Sequence, residues 1–163
     1  MGTRMNFSKR IYLTTAIGVF VTSVAYAADP EEAGGFKLGS SFEAAQQHAL
    51  GQGWELVPTS ENLPGQWVVE GTNLSLFVCN GVVSSVHEKL EGDFEEFVTL
   101  VFSMQLKFGK PDIQILSLSS GIGDISTIDA RFDKGDGGAT VQLQSLGGGR
   151  AFSVNHWMEI ECQ

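Results

Sequence analysis

An Asn-Gly dipeptide between two apolar runs constrains the fold of this chain more than any other local feature. Asn80-Gly81 separates residues 73–79 from residues 82–88. A type I′ hairpin turn needs positive φ at both central positions, which asparagine and glycine tolerate best. The dipeptide therefore predicts an antiparallel hairpin closed by a two-residue turn. Continued along both strands, this register predicts one shared face that consists of Ser75, Phe77, Cys79, Val82, Ser84 and Val86.

Alternating apolar residues and glycine-rich turns predict further strands. These strands lie at residues 67–70, 113–118, 125–133, 139–143 and 152–162. Alternation in the last strand places one set of side chains on a single side, namely Phe152, Val154, His156, Met158, Ile160 and Cys162.

Two segments carry helix signals. Residues 42–50 follow Ser40, which forms a capping-box pattern with Glu43, and glycines at 51 and 53 end the segment. Residues 94–108 follow Asp93, with Glu96 three positions later, and Gly109 ends them. The inward stripe predicted for this longer helix consists of Phe94, Phe97, Val98, Val101, Met104 or Gln105, and Phe108. The apolar residues outside this stripe suggest that a second side of the helix is covered, namely Leu100, Phe102 and Leu106.

The order helix, three strands, long helix, four strands predicts a two-layer α+β domain, in which an antiparallel sheet has two helices packed on one face. Residues 37–163 are expected to form this single domain, and residues 28–36 a flexible acidic lead-in. The two halves, each a helix followed by strands, hint at a duplicated unit.

Residues 1–27 have the pattern of a cleaved export signal. Arg4, Lys9 and Arg10 precede an apolar stretch at 11–24, and Ala25-Tyr26-Ala27 is a small-x-small cleavage site. An apolar stretch of about 14 residues is short for a membrane span. The sequence therefore predicts a periplasmic or secreted protein that keeps no stable membrane anchor after cleavage.

The charge balance restricts the class of partner. The chain has 10 basic and 19 acidic residues, a formal net charge of −9. Cleavage after Ala27 would remove three basic residues, leaving seven against 19, a net charge of −12. Such a surface disfavours nucleic acid, and it speeds encounter with a cationic protein at low salt. Simple solubility is the alternative explanation.

The two cysteines, Cys79 and Cys162, allow two interpretations. In an oxidising compartment an even pair suggests one disulfide, and separate buried thiols are the alternative. Because alternation aims both side chains at apolar surroundings, we predict the bridge.

Two short segments carry a family resemblance. Residues 36–45, Phe-Lys-Leu-Gly-Ser-Ser-Phe-Glu-Ala-Ala, are similar to the opening of small exported bacterial α+β proteins of the SmpA/OmlA and β-lactamase-inhibitor-like kind. Residues 107–111, Lys-Phe-Gly-Lys-Pro, resemble the helix end of such proteins. The resemblance implies a non-catalytic interaction module. SmpA/OmlA members carry an acylated cysteine that this chain lacks, and no functional residue is transferred.

No motif for nucleophilic, phosphate or dinucleotide chemistry occurs, so we predict a non-enzymatic protein without cofactor or metal. The three histidines, His48, His87 and His156, are far apart in the sequence. His156 interrupts an apolar alternation, and is either a satisfied core histidine or a functional group.

Two main functional hypotheses follow from these residues, and a hydrolase with an unrecognised site is a third alternative. The first is an acidic exported protein that binds another protein through a contact patch at Asn155, Trp157 and Glu159, on the side of the last strand opposite its apolar stripe. The second is a protein that binds a small ligand or a cation in a pocket near His87 or His156.

Overall fold

The structure, a computed structural model, describes residues 32–121 and 123–162. The signal predicted at 1–27 and the start of the lead-in, residues 28–31, lie outside the described residues. The strands are β1 (Glu32–Ala33), β2 (Phe36–Lys37), β3 (Glu55–Pro58), β4 (Gln66–Glu70), β5 (Leu74–Cys79), β6 (Val82–Leu90), β7 (Asp112–Ser120), β8 (Gly123–Lys134), β9 (Gly137–Leu146) and β10 (Gly149–Met158); the helices are α1 (Phe42–Gln52) and α2 (Phe94–Phe108).

The fold is mixed α+β, with two helices and a large antiparallel sheet among the described residues. Strands β3 to β10 form one eight-stranded sheet in the order β3-β4-β5-β6-β10-β9-β8-β7. The sheet therefore consists of two four-stranded meanders, β3–β6 and β7–β10, each preceded by a helix. Their last strands, β6 and β10, pair with each other at the centre. We call this central pair the seam.

The cap of α2 and the hairpin turn are as the sequence predicts, and the cap of α1 is not. Asp93 caps α2, and Glu96 returns the hydrogen bond by accepting from the Asp93 N–H, which completes a capping box. At the hairpin turn, Asn80 and Gly81 have φ of 52° and 76°. In α1 the N-cap is Ser41, one residue later than the predicted Ser40. The Ser41 hydroxyl accepts from the Ala44 N–H.

The predicted register of the β5–β6 hairpin is wrong beyond its first two pairs. Cys79 pairs with Val82 and Val78 with Val83, as expected. A bulge then shifts the pairing, so that Phe77 lies opposite Ser85 and Leu76 opposite Val86. Ser84 is the extra residue, and its hydroxyl donates to the Phe77 carbonyl at 3.1 Å. Because side chains alternate in a strand, this slip moves Val86 to the face opposite Cys79.

Pairing across the sheet defines two faces, because directly opposed residues point to the same side. The apolar face contains the row Trp67, Leu76, Val86, His156, Ala139 and Phe132. The polar face contains the neighbouring row Gln66, Phe77, Ser85, Trp157, Gly138 and Asp133.

Two short regions differ from the sequence expectation. β3 forms before the first strand that the sequence pattern predicts, and it pairs with β4. Within the segment expected to be a loose lead-in, β1 and β2 form a small hairpin whose Ala33 and Phe36 are buried in the core. Phe36 packs edge-on against His48 of α1, with ring centroids 4.8 Å apart.

The inward stripe of α2 is rotated from the predicted one. Phe97 and Met104 are buried, and Leu100, Val101 and Phe108 are partly buried against them. The other apolar side chains of the helix are exposed, namely Phe94, Val98, Phe102 and Leu106, which corrects the expectation that α2 is covered on more than one side. None of the helices within 32–121 and 123–162 has the length and apolarity needed to cross a bilayer.

Candidate functional site

The apolar residues form two separate clusters, one in each half of the sheet. The first joins Ala45 and Ala49 of α1 to strands β4, β5 and β6. The second joins Phe97 and Met104 of α2 to strands β8, β9 and β10. Helix α2 packs mainly on β8 and β9, away from the seam. A helix that stands to one side of the seam leaves surface beside it open.

An elongated cavity of about 500 Å³ occupies this space, between α2 and the seam. We call it the α2 slot. Its walls are mostly apolar, and they are formed by Glu88 and Leu90 of β6, by Glu91, by Glu96, Leu100, Ser103, Met104, Lys107 and Phe108 of α2, and by Phe152, Val154 and His156 of β10. Ligand pockets in proteins commonly measure about 300–1,000 Å³, so the α2 slot is large enough for a small molecule.

The shape of the slot follows from helix geometry. Its α2 residues recur at the spacing of one helix face, from Glu96 in the first turn to Lys107 in the last. At 1.5 Å per residue, these two positions are about 16 Å apart along the axis. The slot therefore fits a long, narrow molecule better than a compact one.

His156 is the unusual group in the wall of the slot. Only 3% of the residue is exposed, and its Nδ1 atom is buried without a hydrogen-bond partner among the described residues. Burial lowers the pKa of His156, and the positive charge of Lys107 lowers it further. The imidazole is therefore neutral near pH 7, with one donor and one acceptor nitrogen. An ordinary core histidine has hydrogen-bond partners for its buried ring nitrogens, and the Nδ1 atom of His156 has none among the described residues.

The three histidines do not converge. His87 lies on the polar face, where it lines a cavity of about 430 Å³ with Phe77 and Ser85. Desolvation lowers the pKa of His87 despite the nearby charge of Glu88. His48 lies on α1, with its Nε2 atom 3.3 Å from the Gly34 carbonyl. Of the two positions that the sequence suggested for a pocket, His156 lies at the larger and more apolar cavity.

The predicted contact patch lies on the other side of the sheet. Asn155 and Trp157 share the polar face, and Glu159 follows the end of β10. The Arg131 guanidinium lies 4.3 Å from the centre of the Trp157 ring, and the ring also lines a cavity of about 300 Å³ beside Lys134. Asn155 and Trp157 therefore lie on one surface, but the Arg131 guanidinium covers part of the Trp157 ring.

The predicted disulfide is confirmed, but the side-chain argument for it is wrong. Cys79 and Cys162 are bridged, with Cα atoms 5.4 Å apart. Cys79 belongs to the polar face, not to the face of His156. Cys162 reaches it because the chain leaves β10 after Met158, and the Asn80 amide donates to the Glu161 carbonyl at 2.9 Å beside the bridge.

An acidic cluster surrounds the start of α2. Carboxylate oxygens of Asp93, Glu95 and Glu96 lie within 4.8 Å of one another, and all three residues are exposed. Hydrogen bonds with Glu95 and then Glu96 lower the pKa of Asp93. The cluster caps the helix, and Glu96 also lines the α2 slot.

Sequence reasoning identified His156 as an interruption in an apolar strand but missed the slot around it. The missing information was that β6 pairs with β10, because the paired residues are about 70 positions apart in the sequence. Comparison of the chain with protein-family models, with curated proteins and with solved structures finds no match.

Proposed function

We propose that this chain is a non-enzymatic binding domain that holds a small, elongated, mostly apolar molecule in the α2 slot. The observation that carries the proposal is the cavity of about 500 Å³, whose walls are mostly apolar. An apolar molecule bound there would remove its own apolar surface and that of the slot walls from water, which favours binding.

The arrangement of the helices supports the same proposal. We infer that α1 and α2 cover the same face of the sheet. Ala45 of α1 clusters with Leu76 and Val86, and Met104 of α2 clusters with Ala139 and Phe132. Those four sheet residues belong to one row of the apolar face. Two helices on one face would shelter the seam between them from solvent.

The test is displacement of a fluorescent, uncharged apolar probe, N-phenyl-1-naphthylamine, by dodecanol. We expect the wild-type protein to enhance the probe's emission and dodecanol to reverse the enhancement. Leu100→Trp, which fills the slot, should abolish both effects. Leu106→Trp changes the same helix at an exposed position outside the slot, and it should leave both effects intact.

Ser103→Phe is the second slot variant, because Ser103 lies at the exposed rim and its replacement should disturb folding less than Leu100→Trp. Thermal melts establish that each variant is folded. Equal probe binding by the wild type and both folded slot variants would overturn the proposal.

We further propose that the protein works outside the cytosol, as the export signal expected at residues 1–27 predicts. The Cys79–Cys162 bridge supports this location, because disulfides persist mainly in oxidising compartments. Immunodetection in periplasmic and culture fractions tests the location, and N-terminal sequencing of the recovered chain tests the removal of the signal. Recovery from the cytosol with Met1 intact would contradict them.

Binding of another protein at Asn155, Trp157 and Glu159 is the second candidate function. The stacked Arg131–Trp157 pair on the polar face favours it, because tryptophan and arginine are common anchors in interfaces. The acidic surface favours a cationic partner. Trp157→Ala should then abolish capture of that partner while leaving folding unchanged, and partner capture that survives the substitution would count against this patch.

A further inference from the structure

The charges of the α2 slot are unevenly distributed. Three carboxylate residues line it, Glu88, Glu91 and Glu96. Among the described residues that line the slot, Lys107 is the one with a positive charge. The slot is thus an apolar channel whose fixed charges are mainly negative.

Two of the three carboxylates are held in place by hydrogen bonds. Glu96 Oε2 accepts from the Asp93 N–H at 3.0 Å, within the capping box. Glu88 Oε1 accepts from the Asn73 amide at 3.3 Å. A carboxylate that is already oriented loses less side-chain entropy when it binds a cation than one that is free to rotate.

Glu91 and Glu96 mark one end of the slot. Glu91 directly follows β6, and Glu96 lies in the first turn of α2. A Cβ atom built at Gly92 would lie 3.0 Å or less from Glu96 side-chain carbons and 3.2 Å from a Phe152 ring carbon, so this acidic end lies directly beside the apolar wall. Lys107 is at the opposite end of the helix, about 16 Å away along its axis.

We infer that the molecule bound in the slot is an amine with a long apolar body, its ammonium group at the Glu91–Glu96 end and its body along Leu100, Met104 and Val154. This inference rests on the proposed function and adds the charge of the ligand to it. An ammonium group at the rim would gain attraction from two carboxylates while remaining partly hydrated, which avoids the large penalty of full burial.

The opposite choice, an anionic ligand held by Lys107 and His156, fits the charges less well. His156 is neutral near pH 7 and supplies no positive charge. Three carboxylates line the slot against one positively charged side chain, on a protein with a net charge of −9 or, after signal cleavage, −12, and this charge balance disfavours an anion.

A matched series of three competing ligands tests the inference on the intact chain with its disulfide formed. Dodecylamine, dodecanol and dodecanoate share one apolar body and differ in charge. Each of the three dodecyl compounds is titrated against bound N-phenyl-1-naphthylamine at low ionic strength. The concentration of each compound is kept below that at which it self-associates. We expect dodecylamine to bind tightest and dodecanoate weakest, and we expect added salt to reduce the difference.

The outcomes separate the two proposals. Displacement by dodecanol with no advantage for dodecylamine would overturn the amine inference and leave the proposed function intact. Tightest binding of dodecanoate would also overturn the inference. If none of the three displaced the probe, or the probe did not bind, the proposed function itself would fail.

Substitution of the carboxylates gives the residue-level test. Glu96→Gln keeps a side chain that can complete the capping box, so the start of α2 should be retained. It should weaken dodecylamine binding about fivefold, which corresponds to about 1 kcal/mol, and leave dodecanol binding unchanged. Glu91→Gln should act in the same way. Glu43→Gln, in the first turn of α1, is the matched control, and an equal loss in this control would overturn the assignment to the slot.

Discussion

The guanidinium of Arg131 lies 4.3 Å from the centre of the Trp157 ring, although the two residues belong to strands that are separated by β9. The strand between them carries Gly138 directly opposite Trp157. A side chain at Gly138 would occupy the space of the ring, since a Cβ atom there would lie 2.9 Å from Trp157 Cζ2. The cation–π contact across β9 therefore depends on a glycine.

This contact predicts a measurable coupling between its two residues. Arg131→Ala should lower the free energy of unfolding by about 0.5–1 kcal/mol, with little added by the exposed Arg131–Asp133 ion pair. In a double-mutant cycle with Trp157→Ala, measured by urea unfolding, we expect the two losses to be less than additive. Full additivity would contradict the contact. Arg150→Ala, an exposed arginine of β10, is the control.

Gly138 predicts a steric effect. In Gly138→Ala the new methyl group would overlap the Phe132 carbonyl oxygen and press on Trp157, so we expect a loss of about 1–3 kcal/mol in the free energy of unfolding. Gly51→Ala is the contrasting substitution, because Gly51 lies in α1 with open space around it. There alanine should stabilise by about 0.5–1 kcal/mol. Calorimetric melting temperatures should move in opposite directions, and equal shifts would contradict this account.

His156 predicts a dependence of stability on pH. Its pKa is below the ordinary value of 6.5 in the folded chain. As the pH falls through 6.5, the unfolded chain takes up a proton on this residue while the folded chain does not, so the free energy of unfolding decreases. His156→Gln should therefore lose less stability than the wild type between pH 7.5 and pH 5. Urea unfolding at both pH values measures this difference, and parallel losses would show that His156 is not responsible.

Because burial also lowers the pKa of His87, His87→Gln provides the comparison needed to assign the effect. If the two histidines act independently on opposite faces, their effects on the pH slope should add in the double variant. An effect confined to His87→Gln would contradict the assignment to His156.

The disulfide predicts a large loss of stability on reduction. The bridge closes a loop between residues 83 positions apart. Chain-entropy arguments for a loop of this length give about 4 kcal/mol. Cys79→Ala/Cys162→Ala should show this loss without reductant, and the wild type should approach the variant when reduced. Two titratable thiols in the denatured, non-reduced wild type would contradict the bridge.

The bulge in β6 predicts a smaller effect. Ser84→Ala removes the hydrogen bond to the Phe77 carbonyl in a buried position, and we expect a loss of about 0.5–1.5 kcal/mol. Ser117→Ala, on the exposed edge strand β7, should change the free energy of unfolding by less than this. An effect of Ser84→Ala no larger than that of Ser117→Ala would mean that the hydroxyl does not stabilise the bulge.

By itself, the sequence determined the features that depend on near neighbours. The φ angles of Asn80 and Gly81, the capping box of Asp93 and most strand positions follow from residues within a few places, because turn and capping preferences are set by local sterics and hydrogen bonds. The cysteine pair was also predictable, since two cysteines allow one intramolecular connection.

Only the tertiary structure decided the register beyond Ser84, the side of the sheet that Cys79 occupies, the face that α2 buries and the existence of the α2 slot. Each of these depends on pairing between distant strands, above all Val86 with His156 at the seam. One extra residue in a strand reverses every later side chain, and a helix with apolar residues on several sides can bury more than one of them. Packing among residues far apart in the chain selects between such alternatives, and a local pattern carries no information about that choice.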